Sequence, residues 1–410
     1  MKELLLVLLI LSLFINHLNA NEKDLNIIQK DKKDYRLLEK ESIQTRQQSQ
    51  KYDWISPIDL SGNIGRNHSF SDENSRNLNN KNTKSASIGF TQSIFESGGI
   101  GFKMDYADNR FKYEMLSWEN QNSQLIYTIY NTLLDIKKLK LEINQNDYRI
   151  VNKDIELIIK KIQYEAGKTD IIELNNAIMS KNLILKEEIA LKNSLKEKEQ
   201  ELAKYTDLKY DEIEILDFQE TNKDIFLDKN YSILEADAKV EMLNSEYKIK
   251  KSQYLPKLSL SAKASYSSQD EKFNSMISDT NKDDATSSGS LILSMPLYDY
   301  TKSSKIQESK IEVLKQKALV NDLKNETAFE YEQIFTKIDT YLKQNETINK
   351  NIKLYEELIG ANQISSEAGM TSKYDLEILE NTKTINEFDI LINKINILQQ
   401  YAKLYFKIKN

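Results

Sequence analysis

The sequence predicts a mainly α-helical protein with a small β part, laid out as two copies of one pattern. Three observations carry this. Long stretches lack both glycine and proline: 65 residues from Phe102 to Ala166, 88 from Lys168 to Leu255 and 63 from Leu297 to Ile359. Four short segments alternate strictly between apolar and polar residues. Separate motifs recur about 200 residues further along the chain.

The chain opens with Lys2 and an apolar run from Leu4 to Ile15, 12 residues long. That is shorter than the ~20 residues a membrane helix needs. Leu18-Asn19-Ala20 ends in a small residue, so residues 1–20 are expected to be a signal peptide, the alternative being an uncleaved anchor. No later uninterrupted apolar segment approaches ~18 residues, so any membrane insertion has to be as β-strands.

A first repeat is expected over 21–225: a helix, strands near 57–66 and 85–96, a long helix near 102–165, a tip turn near 166–170 and a returning helix. A second is expected over 226–410: a helix, strands near 256–267 and 289–299, a long helix near 301–365, a tip turn near 367–371 and a last helix. WISPIDLSGNIG at 54–65 parallels QYLPKLSLSAKA at 253–264; SIGFTQSIFES at 87–97 parallels SLILSMPLYDY at 290–300; EAGKTDIIEL at 165–174 parallels EAGMTSKYDL at 367–376. The offsets, 199 between Pro57 and Pro256, then 203 and 202, indicate a tandem duplication.

A 65-residue helix would be roughly 98 Å long, far beyond the globular mean of ~11–12 residues. Ile129, Ile136, Ile143, Ile150 and Leu157 recur every seven residues, as do Tyr127, Leu134, Leu141, Tyr148, Ile155 and Ile162. The two stripes lie about 140° apart around the helix, which suits a neighbour on each side. In the second repeat Ile334, Ile338, Tyr341, Ile348, Ile352, Tyr355 and Ile359 follow coiled-coil spacing, with Asn345 interrupting the seam. Heptads alone also fit a plain two-stranded coiled coil.

In the four alternating segments, Leu60, Ile64, Ile88, Phe90, Leu258, Leu260, Leu291 and Leu293 take one face, and Ser61, Ser87, Ser259, Ser261 and Ser290 the other. Each is about the length of a membrane strand. Polar segments 67–84 and 268–287 lie between the paired strands, like outward loops. Trp54, Tyr254, Tyr298 and Tyr300 flank the other strand ends, where an aromatic girdle would sit, and Pro57 and Pro256 mark the strand starts. Soluble amphipathic hairpins packed on helices are the plainer alternative. Four strands cannot close a pore, and open edges are not tolerated in lipid, so in a membrane the strands have to be shared between copies.

Composition narrows the function. Formal charge is 57 − 63 = −6, which does not favour nucleic acid. There is no Cys, and beyond His17 in the leader the one histidine is His68. Disulfides, thiolates, zinc–thiolate sites and Ser-His-Asp chemistry are thereby excluded or starved of ligands, and no catalytic, cofactor or metal site is expected.

The duplicated layout, YLPKLSLSAKASY at 254–266, LILSMPLYDY at 291–300 and the two EAG turns together resemble the TolC family of outer-membrane efflux proteins over essentially the whole mature chain. The resemblance implies a homotrimer in the outer membrane of a Gram-negative bacterium, with most of its mass in the periplasm. Each protomer would give four strands to a 12-stranded barrel and coiled-coil hairpins to a periplasmic α-barrel. It implies a channel-tunnel serving as exit duct for a tripartite efflux pump or type I secretion system, with a periplasmic adaptor and an inner-membrane transporter as partners. Small molecules and proteins are both open as cargo.

By the same resemblance, Gly167, Thr169, Gly369 and Thr371 belong to tip turns that dock the adaptor, although each glycine also serves as a plain helix terminator. An acidic residue six positions after the second tip glycine would ring the closed entrance; it is Asp375 here, with Glu173 its counterpart in the first repeat. Both also read as ordinary solvated acids. The family's latch positions hold Thr371 and Ser366, and a second entrance acid is replaced by Ile378, so that latch is absent or rebuilt, with Lys168 and Lys373 as candidate basic partners. The rival function is a periplasmic coiled-coil adaptor without a pore, which would need one hairpin between globular β-domains.

Overall fold

The computed structural model describes residues 25–69, 79–214, 216, 218, 220–270, 282–367 and 372–409. The expected signal peptide and the second tip turn, with Gly369 and Thr371, lie outside these residues, as do the side chains of His68 and Ser366. A short 3₁₀ turn, Leu25–Ile27, leads into α1 (Lys30–Tyr52), β1 (Asp59–Ser69), β2 (Asn79–Phe95), α2 (Gly99–Glu165) and α3 (Ile171–Ala203). Then follow α4 (Lys223–Asp228), α5 (Tyr231–Ser252), β3 (Lys257–Asp270), β4 (Lys282–Ser294), α6 (Lys302–Glu367) and α7 (Lys373–Phe406). The two long helices have 67 and 66 residues, matching the stretches without helix breakers.

The chain divides into two compact units. One holds the residues up to Lys40, Leu116–Glu235 and Asn321 onward; the other holds Glu41–Met115 and Ala236–Val320.

The second of these contains the sheet. All neighbours are antiparallel, in the order β1-β2-β3-β4. Asp59 pairs with Gly89, Ser87 with Ser265, and Ser265 with Thr286. Both hairpins extend beyond the alternating segments and into the stretches expected as loops: β2 begins at Asn79 and β4 at Lys282. Asn79–Lys84 is polar on both faces, so no alternation marks it. At the other end β4 stops at Ser294, short of the expected 299, because Pro296 has no N–H to give a ladder.

The first unit is helical. Phe226, Ile334, Ile338, Leu404 and Ile408 are buried together, with Tyr331, Phe335, Ile397 and Tyr401 packed around them. Ile129, Leu134 and Ile136 of the two heptad stripes are fully buried, whereas Tyr148 and Ile162, nearer the tip, are exposed. Asn345, the polar break in the α6 seam, accepts a 2.9 Å hydrogen bond from Asn393 of α7. Asn381 of α7 likewise donates to Asn152 of α2 at 2.9 Å. Such pairs are satisfied at one register only, so they fix the axial alignment of the helices.

Glu330 of α6 receives Lys403 at 2.8 Å and Lys407 at 2.5 Å from α7. Burial disfavours its charge, yet the two lysines outweigh burial and hold the carboxyl below the usual carboxylate range. A depressed folded value means stability present above the unfolded pKa and lost as pH falls through the folded one. Glu330→Gln should therefore cost about 1–2 kcal/mol at neutral pH. The gap to the parent protein should close as pH drops below about 4.3, as read by urea unfolding at a series of pH values.

Candidate functional site

The functional surfaces are the two faces of the sheet, the strand-to-helix junctions and the helical tips. On one face of the sheet Leu60 is 79% exposed and Leu293 74% exposed, with Ile64, Ile88 and Leu291 also open. Among the described residues nothing covers these side chains. On the other face hydroxyls join across strands: Ser61 to Ser87 at 2.8 Å, Ser265 to Thr286 at 2.8 Å and Thr91 to Ser261 at 3.1 Å. Among the polar residues on the apolar face is Gln92, and its amide is used. Gln92 Nε2 donates to the Trp54 carbonyl at 2.9 Å and Gln92 Oε1 accepts from the Ser56 N–H at 2.9 Å, tying down the approach to β1 beside Pro57.

At the junctions the repeat shows again. Glu96 follows β2 and Asp299 follows β4, 203 residues apart. Glu96 pairs with Lys103 at 2.9 Å. Asp299 Oδ1 accepts the Thr301 N–H and hydroxyl, both at 2.7 Å, just ahead of α6. Those bonds, with help from Tyr254 and Lys305, hold the Asp299 carboxyl below its usual range. Tyr254 is buried, hydrogen-bonded to Asp299 and covered by Lys302 at 5.3 Å from its ring centre. It is a junction clamp, while Tyr298 and Tyr300 are the freely exposed aromatics. The repeat offset could have revealed the two junction acids; a Tyr254–Asp299 contact leaves no pattern in the sequence.

The β2–α2 turn depends on backbone freedom. Ser97 and Gly98 have φ of 49° and 87°. Ser97 holds its left-handed conformation with a 2.7 Å bond from Oγ to the Pro256 carbonyl. A Cβ on Gly98 would stand 3.1 Å from the Phe102 ring.

At the first tip Gly167, φ 68°, ends α2. Its N–H donates to the Tyr164 carbonyl at 3.0 Å, and the Lys168 N–H to the Gln163 carbonyl at 2.8 Å, the bonds of a Schellman turn. Thr169 then leads to Asp170, which caps α3 through the Glu173 N–H at 2.9 Å. Glu173 is exposed but paired with Lys160 of α2 at 3.1 Å. At the start of α7 Ser372 caps through the Tyr374 N–H at 3.2 Å, and Asp375 lies exposed in the first turn. Lys168 and Lys373 are exposed too, and Ile378 is half-buried. Among the described residues no cluster of His, Asp or Glu suits a metal ion, and no helix is long and apolar enough to cross a membrane.

A two-faced antiparallel sheet together with two very long helical hairpins is a fold shared with solved outer-membrane channels. Residues 224–403 match the family model of the outer membrane efflux proteins, the family that the duplicated motifs resemble. The match covers 180 of the chain's 410 residues and falls almost wholly in the second repeat. The fold is similar to that of the outer membrane protein VceC of Vibrio cholerae, with 12% identity, 93% of this chain and 94% of that one covered, and a TM-score of 0.72. It is also similar to the CmeC outer membrane channel of Campylobacter jejuni, at 12% identity, 92% and 84% covered and a TM-score of 0.70. For the MtrE outer membrane channel of Neisseria gonorrhoeae the values are 11%, 91% and 84%, and 0.67. No curated protein sequence matches this one.

Proposed function

We propose that three copies of this chain close a twelve-stranded barrel and form the exit duct of a tripartite efflux pump or a type I secretion system. The observation that carries it is the sheet, apolar on one face, hydroxylated on the other, with β1 and β4 as its edges. In lipid those edges have to pair. Two copies would make eight strands, an interior filled by side chains, whereas three make twelve and leave room for water. The apolar face then meets outer-membrane lipid and the hydroxyls line the passage. Cargo moves passively, with energy from an inner-membrane transporter. A periplasmic adaptor docks at the tips around Gly167, Thr169, Gly369 and Thr371.

Asp375 carries the acidic entrance ring in this proposal. Glu173 contributes less, because Lys160 offsets its charge. Removing three exposed carboxylates weakens the attraction for cations, so Asp375→Ala should lower the cation-to-anion permeability ratio in planar bilayers.

The test of the duct is extraction from an outer-membrane fraction in mild detergent. A heat-modifiable trimer that conducts ions in a planar bilayer supports it. A water-soluble monomer or dimer, missing from the membrane fraction, would sink the shared barrel and favour the adaptor.

A further inference from the structure

The hydroxylated face of the sheet is almost free of charge across its middle. The rung Ser61–Ser87–Ser265–Thr286 is wholly hydroxyl, as is Thr91–Ser261–Ser290 on the other side of the charged one. Between them lies Asp59–Gly89–Lys263–Ser288, with one anion and one cation per chain. Lys257 and Asp284 stand on the same face, but toward the strand ends.

Asp59 and Lys263 are both exposed, and neither forms an ion pair with another described residue. Two strand spacings, roughly 10 Å, separate their backbones. Gly89 sits between them. A Cβ there would come within 3.0 Å of the Ala262 carbonyl and 3.4 Å of Lys263 Cα, so a larger residue would crowd the β3 backbone. The bare glycine floors a hollow of about 430 Å³ that Asp59, Lys263, Ser87 and Ser261 help to line.

We propose that Asp59 and Lys263 are the charge determinants of the outer-membrane part of the duct, and that they cancel. Three copies put three carboxylates and three ammonium groups at one level of an otherwise hydroxyl-lined wall. The outer passage then sorts cargo by size and lets either charge sign through, while sign selection is left to the entrance. The inference rests on the duct proposal above.

Its test is the reversal potential of the full-length protein in planar bilayers under a KCl gradient near 0.1 M, where the Debye length is about 10 Å. Lys263→Gln should raise the cation-to-anion permeability ratio roughly threefold, the bias a unit charge about 6 Å away imposes between ions of opposite sign in water screened at this salt concentration. Asp59→Asn should lower it by a similar factor, and the double variant should return to the parent value. Near 1 M salt, where the Debye length is about 3 Å, the shifts should fade.

The absence of cysteine allows a control on one folded channel. Lys263→Cys should behave like Lys263→Gln, return to the parent value after a cationic methanethiosulfonate, and move further toward cations after an anionic one. Parent protein that does not conduct would overturn the duct itself. Conducting variants whose reversal potential stays put, or a cysteine channel that ignores the sign of the attached group, would overturn the charge balance and leave the duct standing.

Discussion

Phe226→Ala is expected to remove about 3–5 kcal/mol of stability from the helical unit, the range for truncating a fully buried phenylalanine. Phe226 is 0% exposed and contributes to a cluster with Ile334, Ile338, Leu404 and Ile408. It comes from α4, a helix of only six residues. A helix that short does not hold itself together. Its position depends on Asn222, whose side chain caps it, and on the ring buried beneath it. Removing the ring opens a cavity and releases the anchor of the segment that starts the second repeat.

The measurement is urea unfolding of full-length protein in detergent, followed by Trp118 fluorescence in a Trp54→Phe background. Trp118 is buried in the same unit, with its Nε1 bonded to the Arg36 carbonyl at 2.8 Å. Phe226→Leu, which keeps most of the volume, should lose far less. Equal midpoints for parent and Phe226→Ala would show that α4 is an appendage and that α6 and α7 hold the unit without it.

That cluster also shows where the sequence ran out of signal. The long helices were legible because glycine and proline are missing over whole stretches and because isoleucine and leucine keep a seven-residue step. Asn345 announced itself as a polar break in a seam, but its partner Asn393 lies 48 residues away and no spacing rule links the two. Nothing in the spacing singled out Phe226, since the six residues of α4 are too few to show a period. The strands were legible where one face is apolar and lost where both faces are polar, as in Asn79–Lys84.

At the candidate site the same physics applies. Glycine at the first tip was readable from its neighbours, and Gly167 does take the left-handed conformation that ends α2. The Lys160–Glu173 pair was not readable, because it joins two helices across a turn and depends on how they lie side by side. Tyr254 looked like a membrane-interface aromatic by its place before a strand; only three-dimensional packing shows it bound to Asp299.

The sharpest consequence of the two-faced sheet concerns adjacent residues. Ala264 and Ser265 are neighbours on β3, yet they lie on opposite faces because side chains alternate along a strand. Ala264 stands in a rung with Ile88 and Ser287, and Ser265 with Ser87 and Thr286. An arginine facing lipid near the bilayer midplane costs about 2–4 kcal/mol. With three copies per barrel Ala264→Arg should cost roughly 6–12 kcal/mol of assembly, enough to empty the outer-membrane fraction of heat-modifiable trimer. Ser265→Arg places the same group in water, and a twelve-stranded interior has space for it, so trimer yield should stay near that of the parent. The comparison holds size and charge constant and changes only the face. Normal assembly of both variants would mean that the sheet does not sit in lipid, and loss of only Ser265→Arg would mean that the faces are the other way round. Either result would also remove Lys263, on the same face as Ser265, from the wall of the passage.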